Sequence, residues 1–239
     1  TVIVTILPGS DYEAGIEVTK DFTITKANAE DLTVEVTNAD NIKYDGNTWD
    51  GSRVTYTVKL NGTDVKDQFK VTWGENIDAG KTAGKFTLTP NTKGSNNFEG
   101  TKDVTFEIKG EVLTGTLKVY NENGTDITDR IPTYAYNGLP ITFDTVRFTP
   151  SNKTGLKEGT DYEIIYVNNT DATTADSKAY VCVIGKGNYV GEGEIKVDGE
   201  VVQDNVIASV DFDITGSVFK ASDITISNGV YASGLVVKP

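Results

Sequence analysis

Histidine and methionine are missing from the 239 residues, and there is a single cysteine. Without histidine there is no Ser-His-Asp or Cys-His machinery, no histidine-bearing zinc site and no histidine-ligated haem. One cysteine makes neither an internal disulfide nor a thiolate cluster. It is Cys182, set in the apolar alternation Ala179-Tyr180-Val181-Cys182-Val183, where a buried, inert thiol is expected. Positive charge is scarce: 22 Lys and Arg stand against 35 Asp and Glu, a net charge of −13. Such a surface repels phosphate backbones, so nucleic acid is not an expected partner. No apolar run is long enough to cross a bilayer as a helix, so no membrane insertion is expected within this segment. With Thr1 first and no methionine, a processed or excised segment is expected.

What the chain does contain is strand and turn material. Thr, Val, Ile, Tyr and Asn are abundant, beside 24 Gly. Apolar residues alternate with polar ones at period two. Val54, Tyr56 and Val58 share a face, as do Phe69, Val71 and Trp73, and again Tyr162, Ile164 and Tyr166. Asn61-Gly62, Asn123-Gly124, Asp45-Gly46 and Asn137-Gly138 mark tight turns between them. This is the pattern of an all-β fold.

The strands also recur. Tyr44-Asp45-Gly46 reappears as Tyr136-Asn137-Gly138. Phe69-Lys70-Val71-Thr72-Trp73, with Asn76 and Ala79 after it, is answered by Tyr162-Glu163-Ile164-Ile165-Tyr166, with Asn169 and Ala172. Lys85-Phe86-Thr87-Leu88-Thr89 is answered by the strand at Ala179, and Asn97-Phe98-Glu99-Gly100 by Asn188-Tyr189-Val190-Gly191. The spacing is about 92 residues throughout, the size of one β-sandwich. A partial copy stands first: Thr1–Ile6 matches the Tyr180 strand, and Lys20-Asp21-Phe22-Thr23-Ile24 matches the strand from Lys102. The expected order is therefore residues 1–27 as the last strands of a preceding repeat, repeats at 28–110 and 111–202, and a C-terminal β segment at 203–239. An incomplete sandwich at residues 1–27 leaves a bare edge and a bare core face. A neighbouring copy, the C-terminal tail or an upstream segment could fill it, and the first of these would give head-to-tail self-association.

The stretch Gly185-Lys186-Gly187-Asn188-Tyr189-Val190-Gly191, together with the Tyr-Asp/Asn-Gly opening of each copy, resembles the MBG-type and related bacterial Ig-like repeats. The resemblance covers residues 1–200 and is closer in the second copy. It implies tandem Ig-like β-sandwiches on an extracellular, surface-attached bacterial protein, with Tyr189 and Phe98 as core plugs.

Candidate sites are few. Asp211 and Asp213 flank Phe212 and are calcium candidates, and Asp126 and Asp129 share a loop; neither run resembles an EF-hand. Trp49, in the polar loop Asn47-Thr48-Trp49-Asp50-Gly51, is a candidate exposed aromatic for a glycan. Trp73 belongs to a strand face and is expected in the core. Gly185-Lys186-Gly187 is hairpin chemistry and not a phosphate loop. A Lys-to-Asn or Lys-to-Asp crosslink would need no histidine, but no pair stands out. The expectation is a non-enzymatic spacer or adhesive segment without cofactors, its ligand a surface glycan or protein that the residues do not identify. The alternatives are a virion Ig-like protein and an accessory glycan-binding module of a large enzyme.

Overall fold

The computed structural model describes residues 1–5, 7–9, 11, 13, 15–91 and 97–218. Among them the helical elements are 3-10 turns of three residues each, and everything else regular is strand. The chain divides into two compact units, Thr1–Lys109 and Gly110–Pro239.

The first unit opens with β1 (Val2–Thr5) and β2 (Glu17–Lys20), an antiparallel pair. There follow β3 (Ala27–Asn28), β4 (Thr33–Val36), β5 (Tyr56–Leu60) and β6 (Thr63–Asp64). The rest are β7 (Phe69–Trp73), β8 (Gly80–Pro90), β9 (Phe98–Glu99) and β10 (Lys102–Ile108). One sheet runs β4-β5-β6 and another β10-β8-β7, while β3 lies parallel to β9. Asn61 and Gly62 both have positive φ, so a two-residue turn with the right-handed twist of its strands joins β5 to β6. The inward residues of both sheets, among them Leu32, Val58, Phe86, Leu88, Phe106 and Ile108, form one core. Gly84 is glycine for a steric reason: the Phe106 ring opposite occupies the space a Cβ would need.

The second unit contains β11 (Glu111–Val112), β12 (Gly115–Tyr120), β13 (Tyr134–Ala135), β14 (Thr145–Pro150) and β15 (Tyr162–Val167). It continues with β16 (Ala179–Gly185), β17 (Tyr189–Val190), β18 (Gly193–Val197), β19 (Glu200–Phe212) and β20 (Ile214–Thr215). Strand β12 pairs β14, and a four-stranded sheet runs β15-β16-β19-β18. Parallel pairs join β11 to β17 and β13 to β20.

The two units make corresponding bonds at corresponding residues. Tyr44 N–H donates to Lys109 O at 2.7 Å, and Tyr136 N–H to Thr215 O at 2.8 Å. Val104 faces Phe86 across the ladder, and Val210 faces Val181. Phe106 and Ile108 are buried in one unit, Phe212 and Ile214 in the other. Tyr189 and Phe98 are both buried, as plugs should be.

The second unit differs by an added hairpin. In the first, β9 leads into β10 across Gly100 and Thr101. In the second, β18 and the opening half of β19 intervene, turning at Asp198 and Gly199, both with positive φ. The addition builds a second apolar cluster of Cys182, Ile195 and Val206, with Ile165, Val167, Tyr180 and Ile184 around it. The matching face in the first unit carries Lys70, Thr72, Lys85, Thr87, Asp103 and Thr105 instead. The boundary expected at 202/203 falls inside β19, which pairs with both β16 and β18. Residues to Thr215 therefore belong to the second unit's own sheets. The rest of the expected C-terminal segment, from 219, lies outside the described residues.

Candidate functional site

Trp49 is not an exposed aromatic. It is 7% exposed and belongs to the first unit's core. The expectation failed because the loop's polar residues bond to one another and turn the indole inward. Asp50 accepts from Ser52 N–H at 2.9 Å, and Asp45 holds Arg53 at 2.5 Å. Arg53 covers the indole, its guanidinium 3.6 Å from the ring centre. The indole N–H donates to Lys43 O at 2.9 Å. The Arg53 guanidinium also holds the Asp45 carboxyl below the ordinary carboxylate range. Trp73 packs against the same core, tilted on Phe86 at 4.8 Å.

Beneath Trp49 lies a clamp that the sequence did not flag as one. Asn76 is 5% exposed. Its side-chain amide donates to Trp49 O at 2.9 Å and to Lys85 O at 3.0 Å, and its carbonyl accepts from Lys85 N–H at 2.7 Å. Trp49 N–H returns a bond to Asn76 O. The second unit shares this task between two residues. Asn169 donates to Ile141 O and its own carbonyl accepts Ile141 N–H, while Asn168 donates to Ser177 and Lys178. The signal that could have found the clamp was the recurrence of Asn after each of these strands.

Asp211 and Asp213 lie on either side of buried Phe212. Lys178 bonds Asp213 at 2.5 Å, and Thr173 donates to the same carboxylate at 3.1 Å. That contact lowers the Asp213 pKa and raises that of Lys178, whose ammonium Asp211 also favours. Lys178 thus already neutralises the Asp213 carboxylate. Asp126 is held by Lys118 at 2.7 Å and by Thr128, with its pKa lowered, and Asp129 is exposed in the adjacent turn. Among the described residues no group of three or more Cys, Asp or Glu is gathered as metal ligands would be. An open cleft of about 350 Å³ in the second unit is lined by Tyr120, Asn121, Glu122, Tyr134 and Asp144, among others.

The feature that stands apart is the β1–β2 hairpin. Val2 pairs with Lys20 and Val4 with Val18. Directly paired residues share a sheet face, so Val2, Val4 and Val18 lie together with Lys20; Ile16, Phe22 and Ile24 lie just outside β2. All six apolar residues are exposed, from 41% at Ile16 to 84% at Ile24. The other face carries Thr5, Glu17 and Thr19 beside Ile3. Lys20, opposite Val2, shares the first face, and Ile3 is itself 60% exposed, so both faces of the hairpin are open to water.

No protein-family model matches the chain, and neither does any curated protein or solved structure.

That hairpin has a buried counterpart in its own unit. Phe86 pairs with Val104 and Leu88 with Lys102, in the same antiparallel sense and with the same alternation. There the side chains face β4 and β5 within a core, and Phe86 and Leu88 are fully buried. With Lys20 set at Lys102, as the sequences match, Phe22 stands at Val104 and Ile24 at Phe106.

Proposed function

We propose that the chain is a non-catalytic segment of an extracellular structural or adhesive protein, in which Ig-like β-sandwiches follow one another as spacers. The observation that carries this reading is the recurrence of one bonding plan. The Tyr44–Lys109 and Tyr136–Thr215 bonds, the paired last strands and the Asn clamps occupy equivalent places in both units. Repetition of a packed unit adds length without adding chemistry, which is what a stalk requires. The resemblance of Gly185–Gly191 to MBG-type repeats supports a bacterial surface setting. The glycan-module alternative loses its one candidate, because Trp49 is inside the protein.

Mechanical unfolding of the full chain held by its two ends tests the reading. Independent spacer units give two separate events, the first unit from Ala27 to Lys109 releasing roughly 280 Å of contour length and the second from Gly110 to Thr215 roughly 360 Å. A single event that releases the whole length at once would contradict it.

A further inference from the structure

We infer that each unit is built to carry tension along the chain, and that the short parallel pairs at its two ends are the parts that resist the pull. The inference rests on the spacer reading above and adds what such a spacer withstands.

Tension reaches the packed strands of the first unit at Ala27 and leaves them at Lys109. It enters the second unit at Gly110 and leaves its described strands past Thr215. At each of these places the loaded strand lies parallel to its neighbour. Ala27 and Asn28 run beside Phe98 and Glu99, with Ala27 N–H donating to Asn97 O at 2.9 Å. Lys109 is bracketed by a parallel bridge to Lys43: its N–H donates to Ile42 O at 3.0 Å and its O accepts Tyr44 N–H at 2.7 Å. Glu111 N–H donates to Asn188 O at 2.9 Å, and Leu113 N–H to Val190 O at 2.8 Å. Tyr134 N–H donates to Asp213 O at 2.9 Å, and Tyr136 N–H to Thr215 O at 2.8 Å. Every other pair of named strands is antiparallel.

Direction decides how such bonds fail. An entering strand is pulled back toward its start. Its partner, β9 or β17, comes later in the chain and is pulled toward its end. In a parallel pair those pulls oppose each other along one axis, so the strands must slide and all rungs are strained together. A leaving strand is drawn forward past a neighbour fixed in the unit, with the same result. A hairpin loaded at its open end behaves otherwise and parts one rung at a time. The β1–β2 pair has that form, with Val2 facing Lys20.

Both ends of the second unit are also fastened from the side away from the parallel partner. Asn152 donates to Val112 O at 2.8 Å and accepts Thr114 N–H at 3.0 Å, and Lys153 bonds Glu111 at 2.6 Å. Thr173 N–H donates to Ile214 O at 2.8 Å, and Ile214 N–H donates to the Thr173 hydroxyl at 3.0 Å.

An optical trap gives the test, read as the unfolding force of the second unit. Held by the two ends of the full chain, that unit is sheared. Held by Thr1 and a Lys186→Cys handle, β11 and β17 are drawn apart from the same end, because exposed Lys186 lies just before Tyr189. The force should then fall severalfold. Tension is equal at both ends, so the weaker end sets the force. The double variant Glu111→Pro with Tyr136→Pro removes one N–H rung at each end and should lower the end-to-end force by roughly a quarter or more, as its load passes to the few rungs left. Glu111→Ala with Tyr136→Ala loses the same side chains but keeps the rungs, and should stay above the proline pair by that margin. Circular dichroism checks that each chain is folded. Equal forces in the two geometries overturn the inference, and so does a folded proline pair as strong as the alanine pair. If the proline pair does not fold, the two geometries, which alter no rung, decide alone. These outcomes are read from force, whereas the spacer reading stands or falls on the number of events.

Discussion

Asn76 is the residue whose removal should cost the first unit most for its size. Its side chain makes three bonds in a site 5% exposed, tying the Trp49 loop to β8. Asn76→Ala removes all three bonds and leaves the side-chain contacts of Trp49 O and Lys85 N–H unreplaced, while Lys85 O keeps its bond from Gly74 N–H at 2.9 Å. At about 1 kcal/mol net for each bond, the loss is about 3 kcal/mol. The backbone adds to this. Asn76 sits at φ +48°, a left-handed conformation that asparagine tolerates and alanine resists by about 1 kcal/mol. Asn76→Gly removes the same bonds without that strain, so it should cost less than alanine by about that amount. Asn76→Asp keeps the shape but turns an amide donor into a carboxylate facing two carbonyl oxygens, and should be the worst of the three. Both tryptophans, Trp49 and Trp73, lie in the first unit, so indole fluorescence during urea or thermal unfolding reports that unit selectively. For a unit of this size, 3–4 kcal/mol corresponds to a fall in Tm of roughly 12–30 °C. A loss below about 1 kcal/mol for alanine, or glycine no better than alanine, would refute the clamp argument.

Three further outcomes follow from the same structure. Cys182 is fully buried and burial pushes its thiol up to about 11, so a thiol reagent at pH 8 should label it only after denaturation. Ile214→Ala, at a site 1% exposed, should destabilise the second unit by about 2–5 kcal/mol in calorimetry while leaving indole fluorescence unchanged; an unaffected calorimetric trace would detach residues 203–215 from that unit. The Lys118 and Thr128 bonds hold the Asp126 carboxyl below its ordinary range. Its contribution is therefore complete above the unfolded value near about 4 and is lost as the pH falls through the folded value, so Asp126→Asn should flatten the acid limb of urea midpoints measured from neutral to low pH.

Strand faces were legible in the sequence because a strand has a period of two and water lies on one side of it. Phe69, Val71 and Trp73 face one core as their spacing required, and Tyr162, Ile164 and Tyr166 face another. Asn61-Gly62 turns where its backbone preference says it should. Matching by residue type was less secure. It set Phe86 beside Tyr180, whereas the ladders set Phe86 beside Val181. A slip of one residue exchanges the inner face for the outer, and Tyr180 indeed lies in the outer cluster with Cys182.

Trp49 could not be placed from its neighbours, because a loop side chain goes where tertiary bonds take it. Three of those bonds come from Lys43 and Asn76, residues outside the loop itself. The exposed loop polarity that suggested a binding aromatic is the outer surface of a structure whose inner surface is the indole. The same logic explains why the tail was misdivided. The added hairpin breaks the spacing between Gly191 and Val206, so Val210, Phe212 and Ile214 fall out of step with Val104, Phe106 and Ile108 although they fill the same places. The strand ladders and the hydrogen bonds at Tyr44 and Tyr136 restore the count.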